Sequence, residues 1–434
     1  NGPSIPDELL VARDAGDVIF FCGAGVSQHE AGLPNFEKLG RNVIELLGAA
    51  QDSPARSLLV KALEMGRMAG VGGLLATDRV FGLLEREFEV ADVRAAVAEA
   101  ITPEPNAGLG AHRTLLTLAT SRAGVTRLVT TNFDLLLEAC DPDLPCSGPP
   151  RLPDPRSDRE FRGVVHLHGR VDADYRQPAD EEFIVSSADF GRAYLSDGWA
   201  TRFIQSLLSR FQIVFVGYTA EDPPVQYLLE ALNLEAGTRN RLYAFQDGES
   251  EAAEALWEHK GVQAIPFDSS DGFGSLWDTL GAWAERASDI DRWYDGLLAK
   301  AIDGPMALDP YIRAQIAEVM STGEGARRFA TADVPLDARW LLAFDPLHRF
   351  ANPDKIDPYV EESELFDLFG ALGLGSDPIP DADASDDFLR NRKVPPEALD
   401  VFALNRGDLD DTGDGAKTGL RGSNALQTTP LPPR

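Results

Sequence analysis

Residues 18–27, with the sequence VIFFCGAGVS, constrain the fold more than any other part of this chain. Apolar, β-forming residues lead directly into two glycines and then into a segment that can form a helix. Gly23 and Gly25 carry no Cβ, so the backbone can approach a ligand closely there. Amides at the start of the next helix can also face an anion such as a pyrophosphate. A GxG turn alone is equally compatible with an ordinary tight turn. The segment therefore predicts a buried strand followed by a candidate phosphate-binding turn.

Further short apolar runs along the chain predict more strands, and helical patterns lie between them. The predicted strands are residues 127–131, 163–169, 183–185, 212–217, 242–245 and 262–266, and the helices among them are 199–210 and 224–236. Strands that alternate with helices are typical of a parallel sheet covered on both faces. We therefore predict an α/β fold with a Rossmann-like, doubly wound parallel sheet. In such sheets ligands bind outside the carboxyl ends of the strands.

Helical patterns without strands set the predicted domain organisation. A helical insertion is expected at about residues 40–124, with helices at 57–68, 74–88, 92–101 and 109–121. Helices are also expected at 276–288 and 291–302. We predict a nucleotide-binding domain over residues 1–288 and a mainly helical or mixed C-terminal region over 289–404. Residues 405–434 contain few large apolar side chains, which predicts a flexible tail or linker.

Composition excludes several classes of protein. The 434 residues carry 40 basic and 70 acidic side chains, so the net charge of −30 opposes direct binding to nucleic acid or to an anionic membrane. The three cysteines show no CxxC spacing, which argues against a disulfide framework and a four-thiolate zinc site. No apolar run approaches the roughly 20 residues that span a bilayer, and no signal peptide is evident. A cytoplasmic location is expected.

Polar motifs follow four of the predicted strands. They are Gly23-Ala24-Gly25-Val26-Ser27 (then Gly32-Leu33-Pro34-Asn35-Phe36), Thr130-Thr131-Asn132-Phe133-Asp134, His166-Leu167-His168-Gly169 and Gly217-Tyr218-Thr219-Ala220-Glu221-Asp222-Pro223. An asparagine amide can donate to one partner and accept from another, which can fix a water or hydroxyl. A histidine near its ordinary pKa can take a proton at physiological pH. The motifs therefore predict one polar site at the strand ends.

This ordered set of motifs resembles the sirtuin superfamily, over about residues 8–285. Members of that superfamily bind NAD and cleave its nicotinamide–ribose bond. The resemblance implies that Asn132 orders the nicotinamide ribose and a water, and that His168 is a general base. It implies that Asp134 recognises the nicotinamide carboxamide. The remaining implied NAD-binding residues are Gly23, Ala24, Gly25, Ser27, Phe36, Thr131, Gly217 and Thr219.

Departures from the deacetylase pattern refine that resemblance. Sirtuin deacetylases carry a zinc module with two CxxC pairs, which this chain lacks, so no zinc is expected. Asn35 and Glu37 stand where deacetylases have aspartate and arginine, and Thr131 stands where they have glutamine. These features are similar to the zinc-free sirtuin-like domains of bacterial anti-phage systems. The resemblance implies an NAD⁺ glycohydrolase that depletes NAD as a defence effector, with a homo-oligomer, a defence-system partner or a phage-derived trigger as its partner.

Several alternatives remain open. Asn132 and Asp134 could cap the helix that follows them. His166 and His168 share one face of a predicted strand, so they could form a metal pair, although a packed structural role suits His166 better. A protein that binds NAD or an ADP-ribose derivative without turnover is an alternative function. A protein deacylase or ADP-ribosyltransferase is another.

Overall fold

The structure is a computed structural model of the 434-residue chain. It describes residues 2–69, 77–179, 183–219, 229, 241–258 and 260–309, with isolated positions up to residue 340. The chain divides after Ser288 into a unit of Asn1–Ser288 and a second unit that begins at Asp289. The predicted helix at 224–236, almost all of the predicted C-terminal region and the predicted tail lie outside the described residues.

The first unit contains a seven-stranded, all-parallel sheet within its described residues. The strands are β1 (Val18–Cys22), β2 (Arg127–Thr130), β3 (Cys146–Ser147), β4 (Gly163–His166), β5 (Gln212–Val216), β6 (Leu242–Asp247) and β7 (Gln263–Phe267). Their order across the sheet is β3-β4-β2-β1-β5-β6-β7. Strands β2, β4 and β3 lie on one side of β1, and β5, β6 and β7 lie on the other. The order in which the chain adds strands therefore reverses between β1 and β5, and doubly wound sheets open a binding crevice at this position. The predicted Rossmann-like fold is confirmed.

Helices cover both faces of this sheet. In the first unit they are α1 (Asp7–Ala15), α2 (Ala24–His29), α3 (Phe36–Leu46), α4 (Pro54–Ala69), α5 (Thr77–Glu87), α6 (Val90–Ala100), α7 (Gly110–Ala119), α8 (Leu136–Cys140), α9 (Ser187–Phe190), α10 (Trp199–Leu208), α11 (Ser250–Glu258) and α12 (Gly274–Ser288). A π-helix, Gly191–Ser196, continues directly from α9. Across the part of the chain that the structure describes, no helix combines the length and apolar character that a bilayer crossing requires.

Strand β1 lies at the centre of the sheet and is buried on both faces. Ile19 and Phe21 pack into a core that includes residues of α10. Phe20 and Cys22 pack into a second core with residues of α7 and α12. Because successive side chains of a strand point to opposite faces, a strand in the middle of three layers must be apolar throughout. This explains the uninterrupted apolar sequence of β1.

The helical insertion forms a third core of its own. Helices α3 to α6 contribute most of its buried residues, and Phe133 and Phe183 join it from outside the insertion, with their ring centroids 4.9 Å apart. Helix α7 instead packs against the sheet, through Ala111, Leu115 and Leu118. The insertion therefore begins directly after the turn that follows β1 and returns to the sheet through α7.

Two details of the predicted strands are wrong. Residues 183–185 do not form a strand: they are buried in an irregular segment, where the amide of Ile184 donates to the carbonyl of His168. Strand β4 ends at His166, so His168 lies in the turn beyond it. An apolar triplet can be buried in a loop as well as in a sheet, and the turn at Gly169, with φ of 91°, ends the extended backbone.

Two helical elements of the second unit are described over their full length. They are α13 (Ile290–Ala301) and a short 3₁₀ helix, Pro305–Ala307. Asp289 caps α13 by accepting a hydrogen bond from the amide of Arg292 at 3.0 Å. The indole of Trp340 donates to the carbonyl of Ala301 at 2.9 Å and is buried. The predicted helix at 291–302 therefore forms as expected.

Candidate functional site

A cavity of about 560 Å³ opens at the carboxyl ends of β1, β2 and β5. The structure brings ten of the eleven predicted site residues to its wall: Ala24, Gly25, Ser27, Phe36, Thr131, Asn132, Asp134, His168, Gly217 and Thr219. The remaining one, Gly23, lies directly behind the wall and contacts Asn132. Convergence of these residues follows from the sheet, because the carboxyl ends of parallel strands meet at one edge.

The glycines of the first and fourth motifs pack against each other. The amide of Gly25 donates to the carbonyl of Gly217 at 2.9 Å. A Cβ on Gly25 would lie 2.8 Å from the Cα of Gly217, and one on Gly217 would lie 2.6 Å from the amide nitrogen of Val26. Gly217 also has φ of +75°, where side chains are strained. These glycines therefore allow two loops to close on each other at the cavity.

Ser27 is the centre of a buried hydrogen-bond network. Its hydroxyl donates to Asp134 Oδ2 at 2.8 Å and accepts from Asn132 Nδ2 at 3.1 Å. Nε2 of His112 lies 3.2 Å from the same hydroxyl. A hydroxyl has one hydrogen and two lone pairs, so His112 must donate here through Nε2–H. That tautomer leaves His112 Nδ1 unprotonated, and this buried atom has no hydrogen-bond partner among the described residues.

Asn132 can approach a ligand only as an acceptor. Both hydrogens of its side-chain amide are engaged inside the protein, one by the carbonyl of Gly23 at 3.0 Å and one by Ser27. The oxygen Oδ1 is therefore the atom that remains to accept a hydrogen bond from a hydroxyl or a water in the cavity. This orientation results from the network around Ser27.

Asp134 also contacts the start of α8, although Leu135 is the N-cap of that helix and no side chain caps it. Oδ1 of Asp134 accepts a hydrogen bond from the amide of Leu136, the first residue of α8, at 3.1 Å. Since Oδ2 accepts from Ser27, one carboxylate contacts both the start of α8 and the serine network. Asp134 is 6% exposed, so its negative charge is held close to the cavity wall with little screening by solvent.

His168 is buried and neutral. Its Nε2 lies 2.8 Å from the hydroxyl of Tyr194, in the π-helix, and its ring meets Phe190 edge-on at 5.2 Å. Burial lowers the pKa of His168 from 6.5 to about 3. The expectation of a histidine near its ordinary pKa is therefore wrong, because an apolar pocket disfavours the charged ring. The imidazole is therefore unprotonated at physiological pH, and it is a weak base.

His166 faces away from this cavity. Its Nδ1 lies 3.0 Å from the carbonyl of Asn132, and its Nε2 lies 2.9 Å from Glu138 Oε1. The two histidines of the third motif therefore do not form a metal pair. His166 instead supports, from behind, the loop that carries Asn132.

Two residues of the cavity wall, Thr131 and Phe36, contact neighbouring parts of the protein. The hydroxyl of Thr131 donates to that of Tyr218 at 2.8 Å, and Tyr218 donates to the carbonyl of Cys22 at 2.9 Å. Phe36 stacks on Phe81 of the insertion, with ring centroids 5.6 Å apart. Thr131 and Phe36 therefore shape the cavity by holding β2, the fourth motif and the insertion together.

Sequence reasoning missed an aromatic group at the cavity wall. The ring of His29 stacks on Trp277 with centroids 5.4 Å apart and meets Phe273 edge-on at 6.4 Å. Phe273 has φ of 72°, which is unusual for a bulky residue, and is 43% exposed. Strained residues cluster at ligand sites. The positions are far apart in sequence, and the helical pattern of 276–288 is the one signal that placed Trp277 near the sheet.

The fold and the cavity define a class: a Rossmann-type α/β domain with a polar site at the switch point of its sheet. Residues 126–265 match the family model described as the SIR2-like domain. This part of the first unit is therefore similar to the SIR2-like domain.

Two relatives illustrate the range of similarity. An uncharacterized protein, y4cA, of Sinorhizobium fredii is 35% identical over 332 residues, which covers 70% of this chain and 26% of that protein. The chain thus spans about a quarter of the length of this curated relative. A crystal structure titled as a Sir2 homolog–NAD complex has 15% identity and a TM-score of 0.33, covering 67% of this chain and 96% of that one.

Proposed function

We propose that this chain is an NAD⁺ glycohydrolase that releases nicotinamide and ADP-ribose. The observation that carries the proposal is that Asn132, His168 and Asp134 line one cavity. Cleavage of the nicotinamide–ribose bond leaves its electron pair on the nicotinamide nitrogen and an oxocarbenium-like ribose. A buried carboxylate is suited to stabilise that positive charge.

Asn132 and His168 have distinct roles in this proposal. Asn132 Oδ1 accepts a hydrogen bond from a ribose hydroxyl or from the attacking water, and so fixes its position. The water oxygen bonds to the ribose carbon, and its proton passes to His168. Because burial lowers the pKa of His168 to about 3 in the ligand-free cavity, the proposed role requires the basicity of His168 to rise when NAD⁺ is bound.

A second candidate function is binding of NAD or an ADP-ribose derivative without turnover. The low basicity of His168 and its hydrogen bond to Tyr194 favour it. Calorimetry that shows tight binding of NAD⁺, with the nucleotide recovered intact, would support this function over hydrolysis.

Nicotinamide release from NAD⁺ by the purified protein tests the enzyme proposal. We expect Asn132→Ala and His168→Ala to reduce release by at least about 100-fold. Asn42→Ala is the matched control, because Asn42 is exposed on α3 and does not line the cavity. Equal release by wild type and both site variants would contradict the proposal.

We further propose that the cellular role is NAD depletion in a bacterial anti-phage system, with an oligomer, a partner protein or a phage-derived trigger controlling it. The resemblance of the motifs to zinc-free defence sirtuins supports this role. Cells that express the chain should lose NAD after phage challenge, and cells that express Asn132→Ala should not. Unchanged NAD levels in both kinds of cells would contradict this cellular role. The test of NAD⁺ hydrolysis by the purified protein would not be affected.

A further inference from the structure

Glu138, Cys146 and His166 form a cluster behind the cavity that the proposed function does not use. They come from α8, β3 and the end of β4, and their side-chain ligand atoms lie within 4.8 Å of one another. His166 is fully buried, and Glu138 is 17% exposed in its side chain. The three residues thus bring an imidazole, a thiol and a carboxylate together at one largely buried point.

The hydrogen bonds of His166 fix its tautomer. A carbonyl oxygen can only accept, so the 3.0 Å contact with Asn132 requires a proton on Nδ1. Nε2 then faces Glu138 Oε1 at 2.9 Å. Two lone-pair atoms so close repel unless a cation lies between them, either a proton on Nε2 or a metal ion. A histidine that donates one nitrogen to a backbone carbonyl and offers the other is the usual geometry of a metal ligand.

A proton on Nε2 explains one contact and leaves the rest of the cluster incomplete. Glu138 Oε2 is buried without a hydrogen-bond partner among the described residues. Cys146 Sγ donates to the carbonyl of Leu144 at 3.4 Å and also contacts the Glu138 carboxylate, and a thiol is a weak donor in either contact. A single ion bound to Nε2, Sγ and the carboxylate would satisfy all three side chains.

We propose that Glu138, Cys146 and His166 form a binding site for a divalent transition-metal ion, with Zn²⁺ as the preferred ion. Imidazole, thiolate and carboxylate are the ligand types that zinc takes in proteins, and three protein ligands leave its fourth position open. Because His166 donates to the carbonyl of Asn132, an ion here would also hold the loop that carries Asn132.

The charges around the cluster are compatible with the binding of a divalent ion. Arg170 lies 3.8 Å from Glu138 Oε1, so the neighbourhood already contains one fixed positive charge. A metal-bound cysteine is a thiolate, so zinc binding must displace the proton of the Cys146 thiol. The thiolate and the Glu138 carboxylate together would balance the charge of the ion.

Zinc content of the full-length protein tests the proposal. Protein stripped with chelator, loaded with zinc and desalted should retain one zinc per chain, measured by elemental analysis. Cys146→Ser and Glu138→Gln should bind zinc at least about tenfold more weakly. Cys140→Ser is the matched control, because Cys140 lies on the same helix as Glu138 but outside the cluster. Calorimetry in buffers of different ionisation enthalpy should show proton release on zinc binding.

Cobalt provides a readout that does not depend on a variant's stability. The cobalt-loaded wild type and Cys140→Ser should show a thiolate-to-metal charge-transfer band, and Cys146→Ser should lack it. Absence of retained zinc in the wild type, or equal retention by Cys146→Ser, would overturn the proposal and leave a His166–Glu138 ion pair. Neither result depends on nicotinamide release, so the proposed function would be unaffected.

Discussion

His168 is positioned by Tyr194, and this contact should control how well the histidine acts as a base. Tyr194→Phe keeps the aromatic packing against Phe190 and removes the hydroxyl that meets Nε2 at 2.8 Å. We expect kcat for nicotinamide release to fall by about tenfold with KM little changed, since the ring would lose its fixed orientation. Tyr243→Phe, which removes another tyrosine hydroxyl from a buried residue of β6, is the control. A change in KM with kcat unchanged would contradict this role for Tyr194.

The buried histidine also predicts how stability depends on pH. The pKa of His168 is about 3 in the folded protein and 6.5 when unfolded, so below pH 6.5 the unfolded chain binds the extra proton. Its contribution to stability is therefore complete above pH 6.5 and decreases as pH falls towards 3. The slope approaches about 1.4 kcal/mol per pH unit. Urea unfolding of wild type and His168→Gln between pH 4.5 and about 7 should show a smaller decrease in the variant. Parallel curves would contradict the burial argument.

At the scale of elements, the loops after β1 and β5 depend on glycine at their contact. Gly217→Ala would place a Cβ 2.6 Å from the amide nitrogen of Val26 at φ of +75°. Gly124 has φ of +71° with no described atom within 4 Å, so Gly124→Ala isolates the cost of the backbone conformation. We expect about 1 kcal/mol of destabilisation for Gly124→Ala and about 3 kcal/mol for Gly217→Ala. Similar losses in denaturant unfolding would show that the loop contact is unimportant.

The central strands could be predicted because of their burial. A parallel strand covered on both faces must be largely apolar, so β1 is a continuous apolar run and β5 is one after its first residue, Gln212. Strand β3 has two residues, and its pairing with β4 depends on the tertiary structure, so no local pattern identifies it. The triplet at 183–185 misled for the converse reason, because it is buried without joining the sheet.

The same distinction applies to the site. Residues that directly follow strands converge by topology, which made Ser27, Asn132 and His168 predictable. Tyr194 contacts His168 from a π-helix, and Phe273 lines the cavity from a strained turn. Neither residue leaves a periodic signal in the sequence. The cluster of Glu138, Cys146 and His166 lacks the short ligand spacing by which metal sites are identified from sequence.

For the whole molecule, the contacts within the first unit predict that it folds without the second. Arg13 in α1 donates to the carbonyls of Leu118 and Ala287, and Asp14 pairs with Arg286 at 2.5 Å. These bonds join α1 to α7 and to α12. All of them are made within residues 1–288, so a chain that ends at Ser288 would keep them. We expect that chain to unfold cooperatively in urea. A non-cooperative transition, or loss of near-ultraviolet circular dichroism, would contradict this expectation.

A free NAD⁺ hydrolase would harm its host, so the proposed activity requires restraint. If residues beyond Ser288 supply it, a chain that ends at Ser288 should release nicotinamide faster than the full chain at equal concentration. Closure of loops over a substrate is a common point of such control. Equal rates at every protein concentration would show that the restraint lies in the first unit or in its assembly.

An analysis of the products formed from NAD⁺ tests the proposed hydrolysis most directly. The full chain and the chain ending at Ser288 are incubated with NAD⁺ over a range of protein concentrations, beside Asn132→Ala and the Asn42→Ala control. We expect equal amounts of nicotinamide and ADP-ribose, reduced at least about 100-fold by Asn132→Ala and unchanged by Asn42→Ala. Recovery of intact NAD⁺ from both chains, with calorimetry showing that it binds, would contradict hydrolysis as the function of this site.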